Sequence, residues 1–399
     1  MKPLEVKENI FWVGAIDWNI RDFHGYATER GTTYNAFLIL DEQITLIDTV
    51  KKEFADQLLE RVSQIVDPKK IDIVISNHTE MDHSGGLPRV MHRIGENKPL
   101  YCSQMGAKNL SGHFPEKWNL RPVENGGQLS LGKRTLVFLE TRMLHWPDSM
   151  FTYDATDKVL FSSDAFGQHY AGLERFDDEI GAAIMPHALK YYANILTPYS
   201  ALVTKLLEKV AELKLDIQMI CPDHGILWRK DLGRIVEAYA RWAKQKPTNK
   251  AVVVYDTMWH STQSMAEAIV AGLGEAGVDA RPMHLRSYNR SEVITEVFEA
   301  GAVLVGSPTL NNGLFPTVSD FLTYMKGLKL RNKLAAAFGS YGWSGESVKL
   351  IAQELQEMKL EVVDPGLAVK WVPRAEDEAA CMALGKKIGA ALPEFIARF

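Results

Sequence analysis

Two rhythms of hydrophobic and polar positions divide the chain. In the first part, short β-branched runs end in polar clusters: ITLIDT (44–49), IDIVISN (71–77), TLVFLET (135–141), KVLFSSD (158–164) and IQMICPDH (217–224). Each reads as a strand with a reactive side chain at or just past its C-terminal end: Asp48, His78, His145, Asp164 and His224. Open α/β sheets build their sites at such ends, so these five predict one shared cleft. After AKQKPTNK (243–250), a polar, lysine-rich stretch with a proline, the rhythm changes. AVVVYDT, AVLVGSP and KLAAAFGSYG alternate with amphipathic stretches such as STQSMAEAIVAGLGEAG and ESVKLIAQELQEM. Apolar strands with helical crossovers predict a parallel sheet covered on both faces, a doubly wound fold. The expected domains are residues 1–246 and 250–399, in an α/β chain without internal repeats.

Composition narrows the function classes. A length of 399 residues is too great for one ordinary core and suits two or three domains. A net charge of -5 and a pI near 6.2 argue against nucleic acid or an anionic membrane as the main partner. MKPLEVKENIFWVGAID has no basic stretch followed by an apolar one, so no secretory signal is expected. No apolar run approaches the roughly 20 residues of a spanning helix. Cys102, Cys221 and Cys381 are scattered without C-x-x-C spacing, against a fused rubredoxin, zinc ribbon or iron–sulfur cluster. A cytoplasmic protein is the expectation.

The chemistry concentrates in HTEMDHSGG (78–86), which offers His78, Glu80, Asp82 and His83 within one turn. It follows the H-x-H-x-D-H run with which metallo-β-lactamase-type hydrolases hold zinc, except that Glu80 replaces the second histidine. Gly85 and Gly86 permit a tight turn into a helix. Imidazole suits zinc, iron and copper, whereas hard carboxylate oxygens shift preference toward iron or manganese. His145, Asp164 and His224 bring the candidates to seven, more than one ion needs. Two ions sharing Asp164 as a bridge would use them. Asp48 and Asp148 fit carboxylates that orient ligand histidines, and Asp48 fits a strand-end cap equally well.

In the second part, YDTMWHST (255–262) joins the first strand to its helix and presents backbone N–H groups with the hydroxyls of Thr257, Ser261 and Thr262 to an anion. Met258 and Trp259 lie in the same turn. SPTLNNG (307–313), with Pro308, Thr309, Leu310, Asn311 and Asn312, should reach the same sheet edge. So should SYGWSGE (340–346), with Ser340, Tyr341, Gly342, Trp343, Ser344 and Gly345. Trp259, Tyr341 and Trp343 offer faces for a planar ring. No G-x-x-x-x-G-K-[ST] or G-x-G-x-x-G supports a nucleoside triphosphate, NAD or FAD.

The order and context of these residues, with DWNIRDFHG, RGTTYNAF, HWPDSMFTY, AFGQH and KYYANI, resemble the flavodiiron proteins (A-type flavoproteins) over nearly the whole chain. The resemblance implies a metallo-β-lactamase-like αβ/βα sandwich followed by a flavodoxin-like domain carrying FMN. It implies two irons: His78, Glu80 and His145 on one, Asp82 and His224 on the other, Asp164 bridging. His83 is expected beside the ligand set, shaping the pocket. His24 and one of the adjacent Tyr191 and Tyr192, here taken as Tyr192, are the expected proton donors. His169 fits either a structural or a functional role. The implied activity is reduction of O2 to water, of NO to N2O, or both. Electrons would pass through FMN from a rubredoxin-like protein or a reduced deazaflavin, within a head-to-tail homodimer or a dimer of dimers. Two other readings stay open. One is a dinuclear zinc hydrolase with a flavodoxin-like accessory domain; the other is a flavodoxin-type electron carrier whose first domain is a remnant.

Overall fold

Successive residues of the early strands bury on opposite sides, as a period of two requires. Phe37, Ile39, Ile47, Ile73 and Ile75 enter one apolar cluster, whereas Leu38, Leu46 and Val74 enter another with Leu58, Val62, Val90 and Met91 from helices. In the computed structural model, which describes residues 2–399, this pattern builds the first of two compact units. A seven-stranded sheet runs in chain order: β1 (Leu4–Lys7), β2 (Ile10–Trp12), β3 (Phe37–Ile39), β4 (Thr45–Ile47), β5 (Ile73–Ser76), β6 (Pro99–Ser103) and β7 (Asn119–Val123). The first four strands are antiparallel, and β4 to β7 are parallel.

A five-stranded sheet follows: β8 (Gln128–Ser130), β9 (Thr135–Glu140), β10 (Met150–Asp154), β11 (Val159–Phe161) and β12 (Met219–Cys221). Leu136, Phe138, Met150, Val159, Phe161 and Met219 from this sheet share the cluster of Phe37 and Ile75, so the two sheets pack face to face. The architecture is the metallo-β-lactamase-like αβ/βα sandwich. Parallel pairing sets Phe161 opposite Cys221, and Asp164 and His224 each follow three residues later. Both side chains therefore leave the sheet at one level.

The second unit is a parallel sheet of β13 (Thr248–Tyr255), β14 (Asp279–His284), β15 (Ala300–Gly306), β16 (Leu334–Tyr341) and β17 (Glu361–Lys370), in the order β14-β13-β15-β16-β17. Ala251, Val253, Leu304 and Phe338 pack on Met265, Ile269, Leu384 and Ile388 on one side. The alternate residues Val252, Val254, Val303 and Val305 are equally buried. Both faces are thus covered, as in flavodoxin-like folds, and the strand order reverses beside β13, where such sheets bind ligands.

Between the units the break falls at Ala240/Arg241, inside the helix Leu232–Lys244. The short segments His24–Ala27 and Tyr192–Ser200 group with the second unit. No shift in composition marks either segment.

Candidate metal centre and cofactor cleft

His78 lies two residues past β5, and Glu80 caps the one-turn helix Met81–Ser84 that carries Asp82 and His83. This turn is pinned from outside. Asp148 accepts hydrogen bonds from the Thr79 N–H at 2.7 Å and the Thr79 hydroxyl at 2.8 Å, and pairs with His78 Nδ1 at 3.3 Å. Asp48, in a left-handed conformation at φ 55°, accepts from the Asn77 backbone at 2.7 Å and its side-chain amide at 2.8 Å. On the other side of the site, His224 Nδ1 donates to the Thr33 carbonyl at 2.6 Å. The contacts of Asp148 with His78 and of the Thr33 carbonyl with His224 each hold an imidazole by Nδ1, so that Nε2 is presented inward.

Two main groups of ligand atoms result. His78, Glu80, His145 and Asp164 converge in the first; Asp82, His83 and His224 converge in the second; a further set, His83, Asp164 and Asp223, overlaps both. Asp164 serves both. Its Oδ2 lies 3.0 Å from His145 Nε2 and 3.4 Å from His78 Nε2, and its Oδ1 lies 3.2 Å from His83 Nε2 and 3.4 Å from His224 Nε2. Glu80 Oε2 closes the first group at 3.1 Å from His145 and 3.2 Å from His78. Asp82 Oδ2 closes the second at 3.2 Å from His224 and 3.3 Å from His83. Glu80 and His145 keep some exposure, whereas the second group is almost wholly buried.

His83 is expected beside the ligand set, shaping the pocket. Its ring is fully buried, and Nε2 sits within the second group rather than behind it. Neither ring nitrogen of His83 makes a hydrogen bond, nor do the buried Asp82 Oδ1 and Asp164 Oδ1. Such atoms would cost about 1–3 kcal/mol each if left unmet, so the site is built for cations. Burial disfavours charge on these imidazoles, but the surrounding carboxylates outweigh it, pushing His83 up to about 10 and His145 up to about 9. A pair of metal ions answers the same concentration of negative charge.

In the second unit a cavity of about 530 Å³ is lined from all three expected loops. Met258, Trp259 and Ser261 contribute from the first, Pro308–Asn312 from the second, and Ser340–Ser344 from the third. Thr257, Thr262 and Gly345 stand outside the lining: the Thr262 hydroxyl meets Ser340 Oγ at 2.9 Å, and Gly345 packs beside the Tyr341 ring. Two further lining residues, Trp371 and Val372, follow β17. The Trp371 N–H donates to the Tyr341 carbonyl at 2.7 Å, and a Cβ on Gly342 would lie 2.9 Å from its ring. Only glycine at 342 allows that approach. Their trace in the sequence is KWVP, a large aromatic left in a polar context. At the entrance the helix Ser261–Glu275 begins without a side-chain cap, leaving its first N–H groups for an anion.

Comparison with known proteins agrees in both halves. Residues 32–225 match the family described as ODP family beta lactamase, and residues 253–385 match Flavodoxin. The nitric oxide reductase of Moorella thermoacetica is 48% identical over 98% of this chain and 100% of its own. The rubredoxin-oxygen oxidoreductase of Megalodesulfovibrio gigas is 43% identical over 98% of both chains. Among solved structures, the rubredoxin oxygen:oxidoreductase of Desulfovibrio gigas superposes with a TM-score of 0.97 at 42% identity, covering 99% of this chain and 100% of that one. The flavodiiron protein of Giardia intestinalis gives 0.96 at 36%, covering 100% and 98%.

The chain belongs to the flavodiiron proteins. One residue expected near the metals of this flavodiiron protein is placed otherwise. Tyr192 turns to the second unit: its hydroxyl meets Ser200 Oγ at 3.2 Å and its ring packs on Trp242 and Phe298. Its neighbour Tyr191 is the one beside the site, with its ring centroid 6.0 Å from His224 and 5.0 Å from His169. His24 is exposed, at φ 57°, and is not among the converging ligands. The preceding residue, Phe23, packs against His169 at 4.9 Å and His224 at 6.0 Å. His169 itself pairs with Thr32 Oγ1 at 2.8 Å, and its ring packs against that of His224.

Proposed function

We propose that this flavodiiron protein is an oxidoreductase that reduces O2 to water, NO to N2O, or both, at a diiron centre supplied with electrons through FMN. The observation that carries the reading is Asp164, whose two oxygens face two separate ligand groups on a chain that also holds a flavodoxin unit. When bound, two irons and FMN supply the electrons: four take O2 to two waters, and two take a pair of NO to N2O and water. His78, Glu80 and His145 would hold one iron and Asp82, His83 and His224 the other, with Asp164 shared. The Thr33 carbonyl and Asp148 keep the His224 and His78 rings in the tautomer that presents Nε2. Burial and the nearby Asp164 hold the Tyr191 phenol protonated well above its ordinary range, so it stands as a hydrogen-bond donor toward a small substrate. Phe23, Tyr191 and Trp146 restrict water around the ligand rings. His24→Ala tests whether the exposed histidine shares the proton-donor role.

The cleft of the second unit would hold FMN, with phosphate at the start of the Ser261–Glu275 helix and the ring system among Trp259, Tyr341, Trp343 and Trp371. The aromatics at its mouth are unusually open: Trp259 is 86% and Trp343 85% exposed. Met81, between ligands Glu80 and Asp82, is also exposed. Apolar surface beside both cofactor sites favours a head-to-tail homodimer, or a dimer of dimers, that brings FMN of one copy to the irons of the other. No helix among the described residues is long and apolar enough to cross a membrane. The name of the relative rubredoxin-oxygen oxidoreductase supports electron delivery by a rubredoxin-like carrier, with a reduced deazaflavin as the other candidate donor. The zinc hydrolase reading leaves the flavodoxin unit without a task. Anaerobic assay of purified protein with reduced carrier should show consumption of O2, NO or both. Failure with both gases, despite loaded iron and flavin, would overturn the proposal.

A further inference from the structure

The turn that would receive the flavin phosphate is preceded by a carboxylate, a puzzling neighbour for a dianion. Asp256 is fully buried at the end of β13. Four donors from three segments converge on it. The Thr257 N–H lies 2.6 Å from Oδ1, Arg286 Nε 2.9 Å and His284 Nε2 3.3 Å; Thr317 Oγ1 lies 2.5 Å from Oδ2. Arg286 also donates to the Thr257 carbonyl, so its guanidinium is fixed to the turn itself while half of its side chain remains exposed. Thr317 belongs to the helix Pro316–Gly327, which follows the second cofactor loop. Within this framework the Thr257 hydroxyl is buried and makes no hydrogen bond.

We propose that Asp256 and Arg286 are a positioning pair for the flavin phosphate. The inference rests on the FMN reading above. The carboxylate fixes the Thr257 backbone, so that the unpartnered hydroxyl and the helix N-terminus keep one geometry. Arg286 cancels the charge of Asp256 and leaves the turn electrostatically open to an anion. A flavodoxin-type turn without lysine thereby obtains a guanidinium from the turn that follows β14. Because both residues act at the phosphate end, they discriminate FMN from riboflavin, which has the same ring system and no phosphate.

The test titrates the deflavinated full-length chain with FMN and with riboflavin, following quenching of flavin fluorescence at two ionic strengths. Arg286→Gln is expected to weaken FMN binding by about tenfold or more, with riboflavin changed less than about twofold. Arg286→Lys is expected to restore part of the FMN affinity and its salt dependence, since it keeps the charge but not the fork. Asp256→Asn is expected to lower FMN affinity in the same selective way; Arg286→Gln keeps the question decidable if Asp256→Asn does not fold. Equal loss for both flavins would show a merely structural role and overturn the proposal, as would unchanged FMN affinity. Wild-type protein that binds no FMN would instead refute the underlying cofactor reading.

Discussion

Glu80→His restores the hydrolase-type motif and removes one negative charge from the first ligand group alone. Glu80 Oε2 lies 3.1 Å from His145 Nε2 and 3.2 Å from His78 Nε2, so a cation held by those nitrogens feels the carboxylate directly. At roughly 4 Å and an effective dielectric near 20, a unit charge contributes about 4 kcal/mol per unit of cation charge. Ferric iron exceeds ferrous by one charge, so the substitution destabilises the oxidised form by about that amount relative to the reduced. With tenfold corresponding to about 59 mV for one electron, the potential should rise by up to about 170 mV. Partial exposure of Glu80 and ligation by the new imidazole reduce this to about 100 mV. The assay is a redox titration of the iron signals by electron paramagnetic resonance, with iron and FMN content measured on the same samples. Lower iron occupancy, a higher potential and unchanged FMN are expected. An unchanged potential with full iron would show that Glu80 does not face the metal, and would refute the electrostatic argument.

Three other outcomes follow from the same geometry. Asp164→Asn should deplete both irons, in contrast to Glu80→His, because its two oxygens serve different groups; iron per chain distinguishes the two variants. Tyr191→Phe should slow turnover by about a hundredfold at unchanged iron content, while Tyr192→Phe should leave turnover intact and cost about 1 kcal/mol of stability, measured by denaturant unfolding. Asp148→Asn frees His78 Nδ1 and the Thr79 turn, and should weaken iron binding by about 10–100-fold in a chelator competition.

Much of the site was legible because strand ends are legible. Runs such as KVLFSSD and IQMICPDH fix where a strand stops, and parallel pairing then brings Asp164 and His224 to one level. The flavin loops were readable for the same reason, since β13, β15 and β16 each end in a turn of small and aromatic residues. What escaped depends on phase within a turn. Asp82 and His83 are consecutive on a single helical turn, and only the position of Asp164 between the groups shows that both reach inward. Tyr191 and Tyr192 are likewise adjacent. The wide five-residue turn Tyr192–Leu196 sets which ring faces the ligands, and no periodicity in KYYANI encodes it. Trp371 was missed because β17 pairs irregularly with β16, with two register shifts, so its end could not be counted from the pattern.

The central claim is that one chain holds a diiron site and a flavin. Metal and flavin analysis of protein purified without oxygen tests it most directly. The account predicts two irons and one FMN per chain; zinc in the ligand groups with no flavin would contradict it.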